Sequence, residues 1–236
     1  MIWTLKTDRC RLELMEVSKI PFSLIIEWMC FISSILFIPK KVNPKFWTFF
    51  GIYLGIMILI ESYAHYTTIV TITSKNNHAI YNGFLFFYAA FHLWIFSKVI
   101  VLKYINRLCL LLAFLLLIGY FGEWLHQGFG LYFYRTNTVF SGIITLLCII
   151  YYFSLFQQEE YHDLLKDAAF WFVTGCLIFY ATNTAVNAFF AEIVRTKIKG
   201  QVSIRYIIMA LLNIIMYSCW IKSFLCLRNK QIYIQA

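Results

Sequence analysis

The chain has 236 residues, of which 61% are hydrophobic and 13% charged, and its formal net charge is +9. A soluble domain usually carries about twice that share of charged residues, so the composition excludes an ordinary soluble globular domain. The basic residues lie in the N-terminal tail and in short loops beside apolar segments, which favours a lipid bilayer and argues against nucleic acid as their partner.

The apolar segments predict the fold. Seven of them reach roughly the 18–25 residues that a helix needs to cross about 30 Å of hydrocarbon. The sequence therefore predicts an all-α fold, a polytopic membrane protein with a seven-transmembrane-helix bundle. The predicted spans are 20–38, 46–70, 83–102, 108–125, 138–157, 169–191 and 204–226.

The predicted organisation is one membrane domain over residues 20–227. Residues 1–19 form an N-terminal tail or interfacial segment, and residues 228–236 form a short C-terminal tail. We expect no output module, because no loop or tail is long enough to fold alone. Lysine and arginine residues divide evenly between the two sides of the membrane when the whole N-terminal tail is counted. They do not if the chain starts at Met15. With that start the count predicts an orientation with the N-terminus outside and the C-terminus inside.

Polar and ionisable side chains interrupt these spans. Hydrocarbon is hostile to such groups, so they usually face the bundle interior and mark a site. Eight such residues are candidates for a site. Counted from the predicted helix ends, all of them lie in the half of the membrane that the N-terminus shares with loops 2, 4 and 6. The sequence therefore predicts one shared ligand-binding cavity. Its candidate residues are Glu27, Glu61, His65, His92, Glu123, His126, Asn183 and Asn187.

The spacing of these residues admits a metal site. Glu61 and His65 lie four apart, and Glu123 and His126 lie three apart, so each pair shares a helical face. Di-metal bundle proteins use Glu-x-x-His pairs in this way. With His92 added, the predicted metal ligands are Glu61, His65, His92 and Glu123, a set that suits divalent zinc, iron or manganese. The same side chains also suit proton transfer, or hydrogen bonding between helices for stability alone.

Three stretches resemble a group of seven-helix membrane proteins of Bacteroidetes-type bacteria. They are SKNNHAIYNGF (74–84), DAAFWFVTGCLIFYATN (167–183) and LLNIIMYSCWIKSFLC (211–226). Those proteins resemble sensory membrane domains, so the resemblance implies a receptor-like role by analogy. The matching positions are Phe170, Trp171, Gly175, Tyr180, Asn213 and Tyr217.

Three functions remain open on these residues. The first is an integral membrane sensor or signalling subunit that binds a small ligand, ion or proton and acts on a signalling protein partner or as a homo-oligomer. The second is a small transporter or oligomeric channel, which requires a polar path to both sides. The third is a membrane-embedded metalloenzyme; no nucleophile motif such as G-x-S-x-G is present, so the sequence favours a protein that is not an enzyme.

Overall fold

The computed structural model describes residues 22–39, 45–71, 75–157, 163–189, 197–198 and 202–235. The predicted N-terminal tail, residues 1–19, lies outside this part of the chain. A 3-10 helix (Leu164–Lys166) precedes α6, and strands β1 (Lys197–Ile198) and β2 (Val202–Ser203) pair antiparallel before α7. The helices are α1 (Phe22–Phe37), α2 (Phe46–Thr71), α3 (Lys75–Val99), α4 (Ile105–Gln127), α5 (Tyr134–Phe156), α6 (Ala168–Ala188) and α7 (Ile204–Gln235).

The prediction of an all-α membrane bundle is confirmed. Six helices, α2 to α7, are long and apolar enough to cross a bilayer. Helix α1 is equally apolar but has 16 residues in the described part of the chain. Helix α7 continues to Gln235, so residues 228–235, predicted as a tail, are helical.

The helices form a closed ring in chain order. Each packs against the next, α7 closes on α1, and α3 also contacts α5. Successive helices joined by short loops run in opposite directions. The starts of α1, α3, α5 and α7 therefore share one side with the ends of α2, α4 and α6. We call this the loop-4 side, after residues 128–133.

Small residues bring two helix pairs into close contact. A Cβ at Gly175 of α6 would lie 2.9 Å from Cys219 Cβ and 3.1 Å from the Met216 carbonyl oxygen of α7. Only glycine permits that approach, because real Cβ atoms do not come so close to neighbouring backbone. Gly55 of α2 likewise faces the Phe31 ring of α1, where a Cβ would lie 3.1 Å away. Both contacts hold the ring closed around α1, α2, α6 and α7.

Away from the loop-4 side, the core is a packed group of aromatic rings that we call the aromatic layer. The Phe50 ring lies at its centre, 4.9–6.2 Å from the other four rings, centroid to centroid. Such edge-to-face and tilted arrangements are the ones that aromatic pairs prefer. The members, all at most 2% exposed, are Trp47, Phe50, Phe172, Trp220 and Phe224.

Candidate functional site

One face of α3 carries polar groups into the middle of the bundle. Tyr81, Tyr88 and His92 are spaced by seven and four residues, which places them on one helical face. The Tyr81 hydroxyl donates to Glu61 Oε2 of α2 at 3.0 Å. This bond joins the Glu61 carboxyl to α3 near the loop-4 side. His92 lies at the opposite, deep end of the same face of α3.

His92 is fully buried and both of its ring nitrogens are hydrogen-bonded. Nδ1 lies 2.9 Å from the Tyr88 carbonyl oxygen, and Nε2 lies 2.9 Å from the Tyr180 hydroxyl of α6. That hydroxyl is also hydrogen-bonded to the Tyr88 hydroxyl. A carbonyl only accepts, so Nδ1 carries a hydrogen and, in a neutral ring, Nε2 accepts from Tyr180.

This network has two mutually exclusive hydrogen-bond directions. The structure has the Tyr180 hydroxyl donating to the Tyr88 hydroxyl. With a neutral His92, Tyr180 must instead donate to Nε2, so its bond to Tyr88 requires the reverse direction, with Tyr88 donating. A protonated ring donates from both nitrogens, so Tyr180 must accept from His92 and donate to Tyr88 instead. One proton therefore reverses both hydroxyls that join α3 to α6.

Two buried polar atoms beside this network lack partners. Glu27 of α1 is 7% exposed and Tyr53 of α2 is 1% exposed, yet Glu27 Oε2 and the Tyr53 hydroxyl have no hydrogen-bond partner among the described residues. The Tyr217 hydroxyl of α7 lies beside the Glu27 carboxyl, and the Glu61 carboxyl is within electrostatic reach of it. A buried carboxyl oxygen without a partner is costly, and it marks a place where something else is needed.

We call these groups together the polar column. The Tyr53 ring lies against its deep part, with its centroid 5.6 Å from that of His92 and 6.3 Å from that of Tyr88. Below His92 the polar groups give way to the aromatic layer, starting with the Trp220 ring at 6.4 Å. Five helices contribute to the column, which comprises Glu27, Tyr53, Glu61, Tyr81, Tyr88, His92, Tyr180 and Tyr217.

The column carries acidic groups without a matching base. Across the described part of the chain, the salt bridge is between Lys166 and Asp163, exposed residues before α6. Neither Glu27 nor Glu61 takes part in an ion pair there. At the loop-4 end, burial raises the pKa of Tyr132 to about 12, against the opposing effect of the positive charge of Arg205. Tyr132 is therefore a neutral hydrogen-bonding group at the mouth of the column at physiological pH.

The predicted site residue Glu123 has a different role. Its carboxylate accepts from the backbone amides of Arg135 and Thr136, from the Thr136 hydroxyl and from Gln127 Nε2, at 2.6–3.2 Å. Helix α5 has no side-chain cap from Phe133, the residue before it. Glu123 therefore caps α5 from the end of α4, where an acidic group also favours the helix dipole.

The remaining predicted residues are dispersed. His126 is exposed at the end of α4, and the partly buried His65 has an Nε2 atom without a partner among the described residues. Asn183 donates to Ser141 Oγ of α5 at 2.8 Å and so joins α6 to α5, and it accepts from Asn187 of its own helix at 3.4 Å.

The structure does not assemble the predicted metal ligands. Among the described residues, no three His, Cys, Asp or Glu side chains are placed to hold one ion. Glu123 is occupied as a helix cap, and His92 is enclosed by tyrosines. The predicted common depth also fails for His92. Helix α3 begins at Lys75 instead of residue 83, so His92 lies fifteen residues after Asn77 and seven before Val99, in the other half of its span.

Sequence reasoning missed the tyrosines and one asparagine. Most of the hydroxyls of the polar column come from Tyr53, Tyr88, Tyr180 and Tyr217. The sequence signal that could have found the column is the alignment of Tyr81, Tyr88 and His92 on α3. Asn82 is fully buried; its Nδ2 donates to the carbonyls of Phe129 and Leu131, and its Oδ1 accepts from the Phe133 amide. Asn82 thereby fixes loop 4 to α3, a role that its sequence neighbours do not reveal.

Comparison with known protein families, with characterised proteins and with solved structures finds no match for this chain. The functional argument therefore depends on the side chains of the polar column.

Proposed function

We propose that this protein is an integral membrane sensor or signalling subunit whose polar column takes up a proton or a small cation. The observation that carries the proposal is the unpartnered Oε2 atom of Glu27 beside the Glu61 carboxyl. The buried Glu27 carboxylate and the partly buried Glu61 carboxylate repel each other in a medium of low dielectric, and neither has an ion-pair partner among the described residues. One positive charge, brought by a proton or a cation, relieves both penalties.

The His92 network supplies the part that changes on uptake. A proton that reaches His92 reverses the hydroxyls of Tyr88 and Tyr180, and thereby the hydrogen bonds between α3 and α6. A switch needs an element with two discrete arrangements that the bound species biases. The two hydrogen-bond directions of this network meet that requirement.

The closed end of the column favours sensing over transport. Its polar groups reach from Glu61 to His92, where the rings of Trp220 and Phe50 pack 4.9 Å apart at the start of the aromatic layer. Transport requires polar groups on both sides of the binding site. The same dispersal of acidic and histidine side chains that separates the predicted metal ligands weighs against a metalloenzyme.

The proposal includes an orientation and a partner. With the N-terminus outside a bacterial inner membrane, the column opens to the outside, and loops 3 and 5 face the cytoplasm. A signalling protein would read the movement of α3 against α6 at those loops. The resemblance of 74–84, 167–183 and 211–226 to sensor-like seven-helix proteins points in the same direction.

Infrared difference spectroscopy on the purified protein in nanodiscs tests the uptake step. We expect a buried protonated carboxyl signal that changes with pH or with added sodium or potassium. The signal should be lost or halved in Glu27→Gln and Glu61→Gln. Asp163→Asn, at an exposed carboxyl, is the matched control and should leave it unchanged. An identical signal in all four proteins would overturn the assignment of the site.

Two further measurements separate sensing from the alternatives. Hydrogen exchange in peptides covering 100–104 and 163–167 should respond to pH in the native protein and should lose that response in Glu27→Gln and His92→Phe. Proteoliposomes loaded with a pH-sensitive dye should show no proton flux. Flux that Glu27→Gln abolishes would instead assign a transporter.

A further inference from the structure

The opposite half of the ring contains a second feature, independent of the polar column. Helices α3, α4 and α5 enclose a cleft of about 190 Å³ whose walls are almost entirely apolar. Leu85 and Leu93 form part of its buried floor, and Phe86 and Phe114 are exposed at its edges. The cleft opens between α3 and α4, at the surface that faces lipid.

A second cavity of about 320 Å³, with polar side chains at its outer end, continues from this cleft towards the loop-4 side. Leu116 and Thr136 line both, so the two spaces adjoin. At its outer end the cavity is lined by the exposed side chains of Arg135 and His126 and by Gln127. The Arg135 guanidinium is positioned by its Nε, which donates to the Tyr134 hydroxyl at 3.0 Å.

The combined length of the cleft and the second cavity matches the thickness of one leaflet. Along α4 the lining runs from Ala113 to Gln127, a rise of fourteen steps or roughly 21 Å at 1.5 Å per residue. Half of a bilayer, including its headgroups, measures about 20–22 Å. An apolar lower part and a basic upper part are arranged in the order of a lipid tail and its headgroup.

The hydrogen-bonding groups that remain free favour an acidic headgroup. Glu123 lines the second cavity, but its two oxygens already accept four hydrogen bonds. That number fills the acceptor sites of a carboxylate, so Glu123 has none left for an ammonium group. The guanidinium of Arg135 remains available to a phosphate, which it recognises with a fork of N–H donors.

We propose that α3, α4 and α5 form a binding site for one phospholipid with a net negative headgroup. One acyl chain lies in the apolar cleft between α3 and α4, and the phosphate pairs with Arg135. The openings beside Gly119 and Gly122 leave the passage between the two spaces clear, because a Cβ at either position would meet nothing within 4 Å.

Native mass spectrometry tests this site on the full-length protein released from detergent. It is titrated with phosphatidylglycerol or with phosphatidylcholine of the same acyl chains. We expect one phosphatidylglycerol to be retained in preference to phosphatidylcholine. Arg135→Ala should reduce that preference by about five-fold, as expected for one arginine near an anionic lipid. Arg107→Ala, at an exposed arginine at the other end of α4, is the matched control and should leave the preference unchanged.

A substitution that fills the passage tests the binding of the acyl chain. Gly119→Leu fills the passage and raises helix propensity, and it should weaken the retention of both lipids. Gly142→Leu, at a glycine of α5 that also has open space and lies outside both cavities, should not.

Four outcomes would overturn the site. Equal retention of both lipids in all variants indicates ordinary surrounding lipid. Equal losses in Arg135→Ala and Arg107→Ala indicate general surface charge. Displacement of the lipid by inorganic phosphate indicates an anion site without a tail. A dimer without retained lipid indicates that a second copy of the chain covers this surface.

Discussion

Two regions of this bundle bury carboxyl groups, and they do so in opposite ways. At the junction of α4 and α5, Glu123 accepts four hydrogen bonds and completes the start of a helix. In the polar column, Glu61 accepts a hydrogen bond from Tyr81, and among the described residues Oε2 of Glu27 accepts none. Hydrogen-bond saturation, more than burial, separates a structural carboxylate from a candidate binding group.

The contrast extends to the neutral groups of each region. Asn82 uses both ends of its amide to hold loop 4, and Tyr120 donates to the Asn82 carbonyl oxygen at 3.1 Å. The buried Tyr53 hydroxyl in the column has no partner in the described part of the chain. The α4–α5 region is therefore built for stability, and the column gives up stability at the positions where a ligand would bind.

The largest effect is expected at the saturated carboxylate. Glu123→Ala should lower the free energy of unfolding by about 2–4 kcal/mol, because it removes a helix cap and leaves the Thr136 hydroxyl and two amides unpaired. Equilibrium unfolding in detergent micelles measures this change. Asp163→Ala, at an exposed ion pair, should have no measurable effect. A loss as small as that of the control would mean that Glu123 does not cap α5.

An intermediate effect is expected where the polar groups of the column have hydrogen-bond partners. Tyr180→Phe leaves His92 Nε2 without its donor and Tyr88 without its neighbour, so we expect a loss of about 1–3 kcal/mol. The same unfolding assay measures it. No loss would indicate that His92 Nε2 finds another partner, and the two-direction network would then be wrong.

The smallest effect is expected at the unpartnered hydroxyl. Tyr53→Phe keeps the ring that stacks on Phe91 at 4.0 Å and removes an unpaired polar atom, so stability should be unchanged or higher by up to about 1 kcal/mol. Together with Tyr180→Phe it forms a matched pair of identical substitutions in one column. A loss equal to that of Tyr180→Phe would show that the Tyr53 hydroxyl has a structural partner, and the contrast between the two regions would weaken.

The helices could be predicted from the sequence because each is a long apolar run, and the six longest cross the bilayer by that criterion. The start of α3 could not be predicted in this way. Lys75, Asn76, Asn77 and His78 lower the local hydropathy, yet the chain is helical there, and Asn77 Nδ2 donates to the Ala64 carbonyl of α2 at 3.0 Å. A polar first turn held by a neighbouring helix is invisible to a hydropathy pattern, and the eight-residue error moved His92 to the wrong depth.

The site could be predicted only in part. Depth in a helix can be read from sequence, and it correctly grouped Glu27 with Glu61 near the loop-4 side. Direction around the helix and the identity of neighbouring helices depend on packing. Glu123 therefore looked like a ligand until the start of α5 was seen beside it. Tyr217, named from the sequence only as a position of the family resemblance, is 2% exposed in the core.

Gly175 has a consequence for how the bundle moves. Backbone and Cβ atoms of α7 fill the space where its side chain would be, so α6 and α7 interlock and cannot slide along each other without a clash. This pair is the fixed frame of the molecule, and the interlocking leaves rearrangement to the helices across from it. Helix α4 has the least buried spanning segment of the six, at 17%, so away from its anchored end at Tyr120 and Glu123 it has the smallest share of its surface packed against the bundle.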